Sequence, residues 1–193
     1  HDVLVVDTEG IDALDVESTH DMKIFALAVL LGSVFCYNSM SHIDEAAIQT
    51  LSVMSRVASS MSKASHEPSL YWVLRDFSLQ MVNEHGDPIT HKQYLESSLS
   101  LPPSSSASKC STRQAIKEIF GERHLVTLPR PHKNDVLRPD QTNPKFNRYL
   151  DTFRKHVLEH GKVMSANGVA MTGSVYVDYI RTIVSLVNQS DSV

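Results

Sequence analysis

Apolar and polar positions alternate along the chain in two rhythms, one of strands and one of helices. From Val3 to Val6 an unbroken aliphatic run closes on Asp7, a pattern that predicts a strand buried on both faces of a sheet. The chain then turns at Gly10. Asp21 to Leu31 is apolar at nearly every position and stops before Gly32, which predicts a helix, and Ser33 to Tyr37 predicts the next strand. Between Asp44 and Met61, the residues Ala47, Ile48, Leu51, Met54, Val57 and Ala58 recur at three- and four-residue spacings, the mark of an amphipathic helix. Ser69 to Leu74 is another apolar strand, ended by Arg75 and Asp76.

A polar stretch from Asn83 to Lys109 carries Gly86, Asp87, Pro88, Pro102, Pro103 and the serines 104–106, and reads as a surface loop with one short helix near Tyr94. It is an insertion at about 83–109 rather than a domain boundary. Helix is expected again at Thr112 to Phe120, strand at His124 to Leu128, and helix at Asn143 to His160 and Ser174 to Asn188. Strands alternating with helices imply βαβ units: an α/β fold with a mostly parallel sheet and helices on both faces. In such sheets ligands sit beyond the carboxyl ends of the strands, so the residues that close each strand matter most.

The 193 residues suit one domain with a single core. A hydrophobic fraction of 41% and a charged fraction of 21% are those of an ordinary globular domain. The formal charge of −4, with no basic patch, argues against a nucleic-acid partner, since phosphate neutralisation needs concentrated Lys and Arg. The longest apolar run, Ile24 to Leu31, is far shorter than the roughly 20 residues of a membrane-spanning helix. Cys36 and Cys110 form neither a disulfide framework nor a zinc knuckle, which fits a reducing, cytoplasmic setting.

Two strand ends carry chemistry. The first reads Asp7-Thr8-Glu9-Gly10. A carboxylate where an apolar strand meets a glycine turn suits a hydrated Mg²⁺, which prefers oxygen ligands and keeps several waters. The glycine lets a backbone N–H approach a terminal phosphate, and Glu9 is placed to polarise an attacking water. Asp and Gly are also ordinary turn residues, so the tetrapeptide alone leaves both readings open. The second strand end reads Leu74-Arg75-Asp76. A carboxylate here can accept two parallel hydrogen bonds, from the N1–H and the exocyclic amino group of guanine, a donor pair that adenine lacks. The plainer alternative is a salt-bridged Arg and Asp at a strand terminus. A phosphate-side carboxylate, then helix, strand, helix, then a base-side carboxylate, reproduces the layout of a GTPase.

The stretch from Asp7 through Asp76 resembles the guanylate-binding proteins of the dynamin superfamily, with DTEG, IFALAVLLGSVFCYNSM and WVLRDFSL in the family's order. HLVTLPRPHKNDVL resembles the strand leading into that family's guanine cap, here about 129–142, and NPKFNRYLDTFRKHV, SANG and VYVDYIRTIVSLVN resemble its closing helices. The resemblance implies a large G domain of the P-loop GTPase type that hydrolyses GTP to GDP with Mg²⁺ as cofactor. It implies that Asp7 meets Mg²⁺ through water, that Gly10 contacts the γ-phosphate, that Thr8 belongs to the nucleotide-binding set, and that Asp76 reads guanine with Arg75 beside it. Arg130, in LPRP, matches an arginine of the cap, which covers the nucleotide and meets its counterpart in a nucleotide-dependent homodimer. A cytoplasmic protein is implied, any membrane association running through regions outside this sequence.

The segment between Gly10 and Asp21 is one residue shorter than in the family. No GxxxxGK[ST] phosphate loop and no switch-one threonine occur, and both, with the N-terminal strand that leads into the loop, are expected upstream of His1. The family's helical stalk is expected beyond Val193. An atlastin-like membrane-remodelling GTPase would carry Gln where Glu9 stands, and Glu9 with Asn38-Ser39-Met40 favours the guanylate-binding branch. The rival of another class is a catalytically inactive guanine-nucleotide-binding module. His156 and His160 have the i, i+4 spacing of zinc ligands but no third ligand at a matching spacing, and read as solvated helix residues. Phe25, Tyr37, Trp72, Met54 and Met61 read as packing groups.

Overall fold

The computed structural model describes residues 3–8, 19–61, 67–101, 106–132, 142–166 and 168–189. In chain order the elements are α1 (Thr19–Leu31), β1 (Val34–Met40), α2 (Glu45–Met61), β2 (Ser69–Arg75), α3 (His91–Ser98), α4 (Ala107–Ile119), β3 (Arg123–Thr127), α5 (Pro144–His160), β4 (Ser165–Ala166), β5 (Val169–Ala170) and α6 (Gly173–Gln189). The three longer strands form a parallel sheet in the order β1-β2-β3, in register through Cys36, Tyr71 and His124. The architecture is therefore the α/β fold with a parallel sheet and flanking helices that the sequence implies.

Because β2 is central, all of its residues from Ser69 to Leu74 are buried. Its even-numbered positions Leu70, Trp72 and Leu74 enter one core with Phe25, Ile48, Leu51, Met54, Leu95, Ile116 and Phe120. Trp72 is fully enclosed, and its indole N–H donates to Ser39 Oγ at 2.9 Å, so the ring's one polar atom is satisfied. Tyr37 stands edge-on to it at 5.1 Å.

The apolar circumference of α1 has a structural reason, since it is packed from two sides. Phe25, Ala26 and Val29 belong to the sheet core, whereas Leu30 joins Ile183 and Val187 of α6. A helix end leaves carbonyls without intrahelical partners, and two tyrosines of α6 supply donors. Tyr176 Oη donates to Leu31 O at 2.7 Å and Tyr179 Oη to Leu30 O at 3.0 Å. Asp44 caps α2 by accepting from Ala47 N–H at 2.7 Å.

The polar excursion contains α3 around Tyr94, opened by a capping box in which Thr90 and Gln93 each bond the other's backbone N–H. Helix α4 begins at Ala107, five residues before the periodicity suggests, with Ser106 at its N-cap. Arg113 of α4 reaches back to α2 with both terminal nitrogens on Glu45, at 3.0 and 2.6 Å, while its Nε donates to Ser98 O at 3.1 Å.

The run Val3–Val6 departs from expectation. It lies in no strand, and its side chains are 62–85% exposed. An apolar run becomes a strand only where a neighbour takes its N–H and C=O groups, and β1's second edge pairs with nothing among the described residues. The turn at Gly10, the side chain of Met61 and most of the cap, residues 133–141, lie outside the described residues. The small β4–β5 hairpin, turning at Gly168 with φ 77°, was not foreseen.

Candidate functional site

All three strands of a parallel sheet end at the same edge, and here the edge is drawn together by main-chain bonds. Beyond the ladder, Ser41 N–H donates to Arg75 O at 2.8 Å, Leu128 N–H to Leu74 O at 2.8 Å, and Phe77 N–H to Leu128 O at 3.0 Å. The central strand end is thus tied to its neighbours immediately before and after Asp76. Between those ties Asp76 adopts φ 54°, a left-handed conformation that Asp tolerates better than most residues. Ser41, on the adjoining strand end, has φ 62°.

This geometry fixes where the Asp76 side chain leaves the backbone. Among the described residues its half-buried carboxylate enters no ion pair, with Arg75 or with any other cation. The salt-bridged alternative for this strand end therefore has no counterpart here. Phe77 turns inward and meets Tyr94 of α3 edge-on at 6.2 Å, closing the floor of the loop. His91, in the first turn of α3, places Nε2 at 3.0 Å from Thr127 Oγ1, and burial holds its pKa below the usual imidazole value. Arg75 is exposed, and Arg130, also exposed, lies two residues past Leu128.

Arg75, Asp76 and Arg130 consequently share the carboxyl edge of the sheet. Asp7 and Thr8 are exposed and outside any strand, and the structure does not bring them into the sheet with Asp76. Glu9 and Gly10 lie outside the described residues. As a Mg²⁺ site, Asp7 offers one water-facing carboxylate, and no group of three Cys, His, Asp or Glu residues able to hold a metal occurs among the described residues. A lone carboxylate fits an ion that keeps most of its waters and takes further oxygens from phosphate. The pinning role of Ser41 and Leu128 gave no sequence signal, because it is exercised by main-chain atoms.

Parallel strands with flanking helices, and a carboxylate at the end of the central strand, are consistent with a large G domain. Residues 1–166 match the family model for the guanylate-binding protein N-terminal domain, and the chain belongs to the guanylate-binding protein family. It is 30% identical over 215 aligned positions to guanylate-binding protein 6 of Mus musculus, covering 97% of this chain and 35% of the relative. Against guanylate-binding protein 2 of Homo sapiens the identity is 29% over 217 positions, with 99% and 36% covered. Guanylate-binding protein 4 of Homo sapiens is 30% identical over 217 positions, with 97% and 33% covered. The chain spans about a third of the length of these curated relatives. No helix among the described residues is long and apolar enough to cross a membrane.

Proposed function

We propose that this chain is the greater part, residues 1–193, of a GTPase domain that in the intact protein binds guanine nucleotide and hydrolyses GTP to GDP. Family membership supports the reaction class, and the strand-end geometry of Asp76 carries the base assignment. In this reading Asp76 accepts from guanine N1–H and the exocyclic amino group, held in direction by the bonds on either side of it. Arg75 stands beside it. Asp7 would hold the hydrated ion, Thr8 would line the nucleotide site, Gly10 would contact the γ-phosphate, and Glu9 would orient the attacking water. Mg²⁺, when bound, supplies positive charge against the β- and γ-phosphates. Residues 129–142 form the guanine cap, through which Arg130 meets its counterpart in a nucleotide-dependent homodimer. The intact protein works in the cytoplasm, with membrane association resting on other regions.

The test is Asp76→Asn in the full-length protein. An amide donor then faces a donor on guanine and leaves a base hydrogen unsatisfied, costing roughly 1–3 kcal/mol of GTP affinity. Xanthine carries a carbonyl where guanine carries the amino group, so the Asn amide can donate to it while its own carbonyl accepts from N1–H. The variant is expected to prefer xanthosine triphosphate in competition against a fluorescent analogue. A variant that still prefers GTP withdraws the guanine assignment.

A further inference from the structure

Helix α5 has a marked apolar side, yet none of its residues is buried. It lies against the sheet face opposite the main core, where the odd-numbered Tyr71 points, and meets that face through aromatic rings. Tyr71 meets Phe153 at 5.8 Å and His156 at 5.7 Å. From Tyr71 the rings continue in series: His124 stacks on Tyr71 at 4.6 Å, His156 stands edge-on to His124 at 5.0 Å, and His160 tilts over His156 at 4.3 Å. His156 is therefore half-buried at an interface, a correction to its reading as a solvated helix residue. No group of three His, Cys, Asp or Glu residues able to hold a metal is formed here among the described residues, and His160 Nδ1 donates to His156 O at 3.1 Å.

We propose that this imidazole series is a proton-operated latch, which holds α5 on the sheet while His156 is neutral and releases it when that ring takes a proton in mild acid. A proton on His156 puts a positive charge 4.3 Å from the His160 ring and 5.0 Å from the His124 ring, close enough to repel any charge there. Little counter-charge is available to offset that. Glu122, the nearest carboxylate, is already shared by Lys162 Nζ at 3.1 Å, His124 Nε2 at 3.1 Å and Ser69 Oγ at 3.2 Å. Glu159, on α5 itself, is the other acid that favours the charged ring. On β1, Cys36 stands in register with Tyr71, whose hydroxyl is pushed up to about 12 by burial and then by Glu122 and Cys36, so it stays neutral. The cavity between α3 and α5 adds His91, Lys92 and Glu96, the last paired with Arg123 at 3.0 Å.

Burial, then the neighbouring His160 and His124, hold the His156 pKa below its usual value. A lowered imidazole pKa means that the folded state prefers the neutral ring. The stability it contributes is complete above about pH 6.5 and is lost as pH falls through the folded value. Glu122 is held low, first by its bond to Lys162, so its contribution fails only in the more acidic carboxylate range. The two windows are separate. Release would travel along the helix, because Asn143 N–H, at the N-cap of α5, donates to Pro131 O at 2.7 Å.

Hydrogen exchange of the full chain, followed by mass spectrometry at about pH 7.5 and about pH 5.5 and corrected for the intrinsic rate, tests the latch. The opening equilibrium of α5 peptides should rise by up to about tenfold in acid while β2 peptides stay unchanged. His156→Phe keeps a ring in place but cannot take a proton, so its α5 protection should not depend on pH. His85→Gln, on an exposed turn, should behave as the parent does. In the unmodified chain, the imidazole C2–H signal of His156 should titrate with the same midpoint as α5 exchange. The proposal is overturned if α5 protection in the parent ignores pH, if β2 opens in parallel, if His156→Phe keeps the full change, or if the two midpoints disagree.

Discussion

Replacing Arg113 by Met removes one end of the tie between α4 and α2 while keeping most of the side chain's apolar stem. The Arg113 side chain is 8% exposed and that of Glu45 is 40% exposed, so the two partners are unequal. Losing the guanidinium strands the Ser98 carbonyl, at about 1 kcal/mol, and returns Glu45 to water at little cost. Adding the lost charge-assisted bonds, Arg113→Met is expected to cost about 2 kcal/mol. Glu45→Ala is expected to cost more, about 3 kcal/mol, because it leaves a buried cation without its carboxylate. The Arg113 hydrogen bond holds the Glu45 pKa below its ordinary value. That contribution is present above about pH 4.3 and is lost as pH falls through the folded value, and Arg113→Met should erase it. Urea unfolding followed by the fluorescence of Trp72, the single tryptophan, gives all three quantities. Equal losses in the two variants, or an unchanged acid slope in Arg113→Met, would refute the reasoning from unequal burial.

At the strand edge, Ser41→Gly should leave stability within about 0.5 kcal/mol, since relief of the left-handed backbone is balanced by a freer unfolded chain, whereas Ser41→Val should cost about 1–2 kcal/mol. Equal urea midpoints for the two variants would show that the backbone at Ser41 is not constraining. Arg130→Ala in the full-length protein should weaken nucleotide-dependent dimerisation by about 2 kcal/mol, with a smaller effect on nucleotide binding by the monomer. An unchanged dimer fraction in light scattering with a GTP analogue removes Arg130 from the interface.

The helices were legible because their apolar spacing is long enough to define a face: α2 buries Ile48, Leu51, Met54 and Ala58, all positions that its period selects. Strand β2 was legible as an unbroken apolar run because both of its faces are covered. The same rule misled at Val3–Val6, where composition says what a run prefers but not whether a partner strand stands beside it. The β4–β5 hairpin has two residues per strand, too few for any alternation to register. At the site, Asp76 and Arg75 were visible as the polar stop of an apolar strand. Its left-handed backbone was not, because that depends on bonds from Ser41 and to Leu128, far away in sequence. His156 was misplaced for a related reason: helical spacing shows which side a residue faces, but not that His124 and Tyr71 wait on that side.

The tyrosine caps on α1 bear on how the chain is made. Tyr179 lies 149 residues after Leu30, the carbonyl it satisfies. At ribosomal speeds of about 5–20 residues per second, α1 therefore exists for on the order of ten seconds before α6 has been synthesised. Through that interval Leu27, Leu30 and Leu31 have no α6 to pack against, and two carbonyls at the end of α1 face water. Closing so long a loop costs on the order of 4 kcal/mol in chain entropy, so the docking of α6 must draw on a sheet core already assembled. A nascent chain stalled before Tyr176 would present an apolar stripe suited to a chaperone rather than to its own final neighbour.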